Sequence, residues 1–142
     1  MNAVDTNVFV YSLDIHAPAK QAKAKSLLAG LVGVQPGTIL LWQVAGELVS
    51  VLRKWETKGR VSRSNAEANF CDVFAMFPLT LPGPQVFARY FDLHSRFSLS
   101  HWDAMLLAAC NEAGVTTLFS EDMDAGTDYD GLTIVNPFDP TG

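Results

Sequence analysis

Hydrophobic and polar positions along the chain alternate between short apolar runs and longer segments with helical spacing. The short runs predict five strands, over residues 3–4, 38–41, 79–81, 115–119 and 132–135. In the longer segments apolar side chains recur every three or four residues, which predicts six helices, over 8–13, 18–31, 43–58, 62–77, 84–96 and 100–113. The alternation predicts a single α/β domain over residues 1–142, with a parallel sheet covered by helices on both faces.

Acidic side chains follow two of the predicted strands. Asp5 follows the first strand, and Ser120, Glu121 and Asp122 follow the fourth. In open parallel sheets, ligands bind beyond the carboxyl ends of the strands, near the point where strand order reverses. If the first and fourth strands are neighbours, these acids converge and a site is expected between them.

Asp5 and Glu47 each have a structural alternative to a role in a site. Asp5 could cap the short helix that follows it, although Thr6 could do so equally well. Glu47 falls on an apolar helical stripe that includes Val44 and Leu48. A carboxylate on a core-facing stripe is costly unless it is paired or binds a cation, which favours a site role. Alternatively, Glu47 lies at the end of the stripe and reaches solvent.

Two further acids have alternatives of the same kind. Ser100 and Asp103 have the spacing of a capping box, at the start of a helix predicted to bury a stripe that begins at Trp102. A first-turn acid also points beyond the strand ends, so capping and metal ligation are compatible. Asp122 could be an ordinary acid of a surface turn, and Asp124 close by could share its role.

Considered together, the four acids favour a cation site. They come from four different elements: Asp5, Glu47, Asp103 and Asp122. Clustered carboxylates raise each other's pKa unless a cation neutralises them. Oxygen ligands without histidine or cysteine partners suit Mg²⁺ or Mn²⁺ rather than zinc. The histidines are predicted in a loop, on a helix surface and beside a helix cap: His16, His94 and His101.

The acidic segment 118–131 could also indicate a calcium loop. The one register with acids at the third and fifth positions and glycine at the sixth begins at Gly126 and ends at Pro137. Both the first and the twelfth ligands are therefore missing, and the calcium-loop interpretation fails. Asp128 and Asp130 are then most simply solvated residues of a turn before the last strand.

Charge is distributed unevenly along the chain. The net charge is −5, which disfavours nucleic-acid binding, but every lysine lies at or before Lys58 and the acids crowd the tail. A basic cluster is formed by Arg53, Lys54, Lys58, Arg60 and Arg63. A protein whose acidic and basic side chains are separated in this way could bind a cation at one place and a polyanion at another, or could simply have two solvated faces.

The cysteines and the apolar runs bear on the cellular compartment. Cys71 and Cys110 lie far apart and match no metal or redox spacing, so they are expected to be reduced, half-buried side chains of a cytoplasmic protein. No apolar run approaches the length of a membrane span, and the first residues lack the pattern of a signal peptide.

The motifs that carry these acids resemble those of the PIN-domain family of metal-dependent ribonucleases, and within it the VapC toxins of bacterial toxin–antitoxin pairs. They are Asp5-Thr6-Asn7, Glu47, Asp103-Ala104 and Ser120-Glu121-Asp122, and the ending LFSEDMDAGTDYDGLTIVNPF is similar to the closing segment of one VapC branch. The resemblance implies a small α/β fold with a five-stranded, mostly parallel sheet and an acidic pocket that binds Mg²⁺ or Mn²⁺ and cleaves RNA. It also implies a homodimer held inactive by a small antitoxin.

The resemblance assigns roles to the four acids. Asp5 and Asp103 are expected to be the principal metal ligands. Asp122 is expected to complete or orient the shell, and Glu47 to position or deprotonate water. The motifs match two supporting polar positions, Asn7 and Ser120.

Two other functions remain open at this point. One is a non-catalytic PIN scaffold that binds RNA or a protein partner. The other is a Mg²⁺-dependent phosphoryl-transfer domain, which is disfavoured because the chain has no lysine after Lys58 and has Asn7 where a second acid is required.

Overall fold

The computed structural model describes residues 1–139, so residues 140–142 of the predicted domain lie outside the described part of the chain. The strands are β1 (Asn2–Val4), β2 (Thr38–Leu41), β3 (Leu79–Thr80), β4 (Thr117–Phe119), β5 (Asp128–Tyr129) and β6 (Leu132–Val135). The helices are α1 (Thr6–Leu13), α2 (Pro18–Leu31), α3 (Trp42–Thr57), α4 (Arg63–Met76), α5 (Val86–Arg96) and α6 (His101–Ala113). Every predicted helix and strand is present, with its ends shifted by at most two residues.

The strands form one sheet in the order β3-β2-β1-β4-β6-β5. All neighbouring pairs are parallel except β5 and β6, which are antiparallel. The predicted mostly parallel α/β sheet is confirmed, but within residues 1–139 it has six strands rather than five. The strand that the hydrophobic pattern missed, β5, is only two residues long, and one of them, Asp128, is exposed.

The order of the strands places the helices on both faces. The chain moves outward from β1 through β2 to β3 by way of α1 to α4, and then returns past β1 to β4 by way of α5 and α6. Because crossovers between parallel strands are right-handed, connections in opposite directions cover opposite faces. Strand order therefore reverses between β1 and β4, which are hydrogen-bonded neighbours.

Local signals in the sequence explain where the helices begin and end. Pro18 occupies the first turn of α2, and the Ser62 side chain caps α4 by accepting a hydrogen bond from the backbone N–H of Asn65 at 3.1 Å. Helix α6 ends at Gly114, whose φ of 81° belongs to the left-handed region that favours glycine. These signals let the helix bounds be predicted closely.

The core is built from the strands and the inner sides of the helices. All four residues of β2 are buried, and α6 is buried around most of its circumference from Ala104 to Cys110. The predicted start of the α6 stripe was wrong, because Trp102 is 62% exposed where the first turn emerges from the core. Among residues 1–139, no helix is long and apolar enough to cross a membrane.

Candidate active site

The site is centred on Asp5, which directly follows β1 and caps α1. One carboxylate oxygen, Oδ1, accepts a hydrogen bond from the backbone N–H of Thr6 at 2.7 Å, so the capping role considered from the sequence is confirmed. The other, Oδ2, accepts a hydrogen bond from the Ser120 hydroxyl, also at 2.7 Å. Asp5 is 8% exposed and Ser120 is fully buried, so both oxygens of this acid are fixed inside the protein.

Pairing of β1 with β4 brings Asp122 to the same place. The backbone N–H of Asp5 donates to the carbonyl oxygen of Phe119 at 2.8 Å, which joins the two strand ends. Beyond that point the Asn7 amide donates from Nδ2 to Asp122 Oδ2 at 2.9 Å, and the Asp122 backbone N–H donates to Ser120 Oγ at 3.3 Å. The predicted convergence of acids after the first and fourth strands is therefore observed.

Glu47 reaches the site from the first turns of α3. Its Oε1 accepts hydrogen bonds of 3.3 Å from the Thr6 hydroxyl and from the Gln43 amide. The expectation that Glu47 faces the core was wrong: Val44 and Leu48 on the same stripe are buried, but Glu47 is exposed. The reason is that Glu47 lies at the margin of the stripe: Val51, one turn further on the same side, is only partly buried, whereas Leu52 nearer the centre of the stripe is buried.

Charge accumulates around Asp5. Burial is the main reason that the pKa of the Asp5 carboxyl is raised from its ordinary value of 3.8 to about 6, although the hydrogen bonds from Ser120 and Thr6 oppose the rise. The negative charges of Glu47 and Asp122 contribute smaller parts of the same rise. A buried carboxylate with two acidic neighbours is the electrostatic environment in which a bound cation is most stabilising.

Asp103 lies at the same edge of the sheet but is not bonded to the other three acids. Helix α6 runs into β4, so its first turn lies at the carboxyl end of the strands. The Asp103 backbone N–H donates to Ser100 Oγ at 3.3 Å, which is half of the predicted capping box. Within residues 1–139 no hydrogen bond links its carboxylate to Asp5, Glu47 or Asp122. Burial raises the pKa of Tyr129, and the negative charges of Asp124 and Asp103 add smaller effects.

Three of the other acids of the 118–131 segment have structural roles. Glu121 forms an ion pair with Lys20 at 2.8 Å, and Asp128 Oδ1 accepts a hydrogen bond from the backbone N–H of Gly131. Asp130 was predicted to be solvated, but it is ion-paired with Arg96 of α5, which lowers the pKa of its carboxyl. This ion pair could not be predicted from local spacing, because its partners are 34 residues apart.

Gln43 is a site residue that the sequence reasoning missed. Its Nε2 donates to Glu47 Oε1 at 3.3 Å and to the carbonyl oxygen of Trp102 at 3.2 Å, so it joins the start of α3 to the start of α6. The spacing of four between Gln43 and Glu47 on a predicted helix was a signal that the two side chains meet. Thr6 was considered only as a cap, and its hydroxyl instead holds Glu47.

The histidines and cysteines do not contribute to the site. His16 lies in a turn, His94 is exposed on α5 and His101 begins α6, as predicted. Neither cysteine is half-buried as expected, because Cys71 is exposed and Cys110 is buried, and both are free thiols. Burial, with a smaller effect of the nearby Asp5 charge, raises the pKa of the Cys110 thiol.

The donor set suits a hard cation bound in part by water. Within residues 1–139 no three histidine, cysteine or acidic side chains stand close enough to enclose an ion by themselves. Mg²⁺ is ordinarily held by one or two carboxylates together with water and substrate phosphate, so a closed cage is not required. Asp5, with Glu47 and Asp122 beside it, fits that mode through its all-oxygen chemistry and its unneutralised charge.

Comparison with known proteins agrees with this geometry. The PIN domain family model matches residues 3–126. A toxin–antitoxin complex from Klebsiella pneumoniae contains a chain with 17% identity and a TM-score of 0.65, covering 97% of this chain and 98% of that one. VapBC2 of Rickettsia felis, bound to a promoter DNA fragment, gives 12% identity, a TM-score of 0.69 and coverage of 95% and 97%.

A third solved structure has a function in its description. It is VapC20 of Mycobacterium tuberculosis, a toxin that cleaves the sarcin–ricin loop, with 17% identity, a TM-score of 0.64 and coverage of 86% and 90%. At these identities the likeness of the solved structures shows a shared fold. No curated protein matches the chain.

Proposed function

Because the chain belongs to the PIN-domain family, we propose that it is a metal-dependent ribonuclease and the toxin of a toxin–antitoxin pair. One observation carries the proposal. Asp5 is a buried carboxylate at the point where strand order reverses and is fixed by Ser120; burial, with smaller effects of the Glu47 and Asp122 charges, raises its pKa to about 6. Two of the solved structures support the toxin assignment, because one is described as a toxin–antitoxin complex and the other as a toxin that cleaves the sarcin–ricin loop.

The acidic residues of the pocket are proposed to have different roles. Asp5 and Asp103 are proposed to hold Mg²⁺ or Mn²⁺, and Asp122, which the Asn7 amide orients, completes the shell. Glu47 is exposed and positions the attacking water or accepts its proton. The chemistry that such an ion supplies when bound is to lower the pKa of water and to neutralise charge on the phosphate.

Binding of RNA needs positive charge as well as the metal, because the acidic pocket repels a polyanion. Within the basic cluster, Arg60 stacks on Trp55 at 4.3 Å and pairs with Asp14 at 2.9 Å. Arg63 is paired with Glu56 at 3.4 Å. We propose that Lys54 and the other cations of the cluster contribute the salt-dependent part of RNA affinity.

The partners proposed for this chain are an RNA substrate, a cognate antitoxin and a second copy of the chain, in the cytoplasm. The structures from Klebsiella pneumoniae and Rickettsia felis support the antitoxin, since one is described as a toxin–antitoxin complex and the other as VapBC2.

Induced expression in a bacterial host, followed by mapping of RNA cut sites, tests the proposal. We expect growth arrest and discrete cuts, relieved by co-expression of the neighbouring reading frame. Asp5→Asn and Asp103→Asn should abolish both effects while leaving folded protein. The matched control is Asp72→Asn, which makes the same charge change on the exposed surface of α4. Arrest and cutting by all four proteins would overturn the assignment, and RNA binding without cuts would favour the non-catalytic scaffold.

A further inference from the structure

A cavity of about 480 Å³ lies away from the acidic pocket, at the far ends of α1 and α3. Its walls are the turn after α1, one side of α2, the end of α3 and the start of α4, and we call it the distal cavity. Helix α1 begins beside Asp5 and spans about 12 Å over its eight residues. Glu47 precedes Trp55, which lines the cavity, by eight residues of α3, again about 12 Å. The distal cavity is therefore separate from the proposed active site.

The side chains around the distal cavity are chemically suited to an anion. Six of them can donate hydrogen bonds, and they comprise three basic side chains and three amides: His16, Lys25, Arg60, Gln21, Asn65 and Asn69. Within residues 1–139 no acidic side chain lines the cavity. The whole chain carries a net charge of −5, so this basic lining runs against the average charge of the protein. Such a setting favours a negatively charged ligand.

Arg60 is held in position before any ligand binds. Its guanidinium lies over the Trp55 ring at 4.3 Å, and its Nη2 donates to Asp14 Oδ1 at 2.9 Å. Trp55 is only 8% exposed, so the ring under the guanidinium is part of the core. The bond to Asp14 uses one of several guanidinium N–H groups, and it offsets the charge of Arg60. Net positive charge at the cavity therefore comes from Lys25 and from His16 when it is protonated, while Arg60 supplies preorganised donors.

Phosphate is the anion that this lining fits best. A carboxylate has its two oxygens in one plane, and a single arginine can bind both in a bidentate manner. A phosphate group has additional acceptor oxygens that point in different directions. The donors of the distal cavity come from α2, from α4 and from the segments that follow α1 and α3, so they can surround such a group. Lys25 supplies the compact point charge that often contacts phosphate, and Arg60 the fork that matches two of its oxygens.

We propose that the distal cavity binds a phosphate group, with Lys25 and Arg60 as its charged contacts. A phosphate of RNA and the phosphate of a free mononucleotide offer the same chemistry, and measured affinities distinguish the two sources. The binding of phosphate stands on the lining of the cavity alone. Its use by RNA rests on the proposed ribonuclease function, because an RNA cut at the acidic pocket is then held at a second point.

Isothermal titration calorimetry of the full chain tests the site, with adenosine 5′-monophosphate and a short single-stranded RNA as probes. EDTA in the buffer removes divalent metal, so that binding is measured without cleavage. We expect Lys25→Gln to weaken binding of at least one probe by about tenfold or more, because a charge-assisted hydrogen bond is lost. Lys23→Gln is the matched control, because Lys23 is also exposed on α2 but lies two residues away, on a different side of the helix. It should leave both affinities unchanged.

The pattern of affinities identifies the source of the phosphate. Weaker binding of RNA by Lys25→Gln, without binding of the mononucleotide, assigns the distal cavity to RNA. The same variant should then raise KM for cleavage and leave kcat unchanged, because the lost contact lies away from the reacting phosphate. Weaker binding of the mononucleotide, with unchanged RNA affinity, assigns the cavity to a free ligand. Weaker binding of both probes supports a site that accepts either source.

Three results would overturn the proposal. Neither probe binds, or Lys25→Gln has no larger effect than Lys23→Gln, or a glutamate-rich peptide binds in a Lys25-dependent way where neither phosphate probe does. The last result would show that the cavity takes carboxylates of a protein segment. Lys25-dependent binding of a phosphate probe by a chain that never cleaves RNA supports the site and contradicts the ribonuclease function.

Discussion

Asp5→Asn should make the metal-free protein more stable at neutral pH, even though it should destroy activity. Burial, the largest cause, raises the folded-state pKa of Asp5 to about 6, whereas the unfolded chain has the ordinary value of 3.8. Between about pH 4 and 6 the folded state keeps a proton that the unfolded state releases, so the free energy of unfolding falls as pH rises. Above pH 6 the whole cost of the buried charge is present.

The difference of about two pKa units corresponds to about 3 kcal/mol at roughly 1.4 kcal/mol per unit. An amide at this position removes the charge but keeps only one of the two oxygens that accept hydrogen bonds from Thr6 and Ser120, so one of these bonds is lost and about 3 kcal/mol is the upper end of the gain. The gain should disappear below about pH 4, where the acid is protonated in both states.

Urea unfolding followed by circular dichroism, in EDTA at pH 4, 5, 6 and 7.5, measures this effect. The control is Asp72→Asn, which should follow the wild-type pH dependence because Asp72 is exposed. Asp5→Asn that is less stable than wild type at pH 7.5, with the same pH dependence, would refute the reasoning that Asp5 stores an unneutralised charge.

Three further predictions concern other groups. Ser120→Ala should raise the pKa of Asp5 above about 6 and cost about 1–3 kcal/mol of stability at neutral pH, because a buried carboxylate loses a hydrogen bond. An unchanged carboxyl pKa in a carbon-13 NMR titration would contradict this prediction. Asp130→Asn should lower the urea midpoint at pH 7, and the loss should vanish as pH falls through the lowered pKa of that acid; an equal loss at pH 2.5 would exclude an ionic cause. A thiol reagent such as DTNB should label Cys71 rapidly and leave Cys110 unreacted in the folded protein, since Cys110 is buried and its thiol pKa is raised. Rapid labelling of both cysteines would contradict the burial of Cys110.

Much of the fold could be predicted because the chain obeys local rules. Apolar periodicity separates helices from strands, and Pro18, Ser100 and Gly114 mark helix ends through their own chemistry. The neighbouring acids after β1 and β4 could also be expected, because parallel strands present their carboxyl ends at one edge. The convergence of Asp5 and Asp122 could therefore be predicted from the sequence.

The features that were missed depend on tertiary context. Strand β5 has no hydrophobic pattern and exists through its pairing with β6, although the Asp130-Gly131 dipeptide was a hairpin signal, since both residues have positive φ. Helical spacing placed Glu47 and Trp102 on core-facing stripes. Trp102 is exposed because spacing does not show where along a helix the core ends, and Glu47 is exposed because it lies at the margin of its stripe, on the same side as the partly buried Val51.

The metal dependence of RNA cleavage by the purified protein is the decisive test of the proposed metal-dependent ribonuclease activity. Initial rates would be measured on one RNA that maps as a cellular target, with increasing Mg²⁺ or Mn²⁺, for the wild type, Asp5→Asn and the Asp72→Asn control. We expect no cleavage in EDTA, a saturable rise with metal for the wild type and the control, and no rise for Asp5→Asn. Cleavage by Asp5→Asn with the wild-type metal dependence would rule out Asp5 as a metal ligand needed for activity.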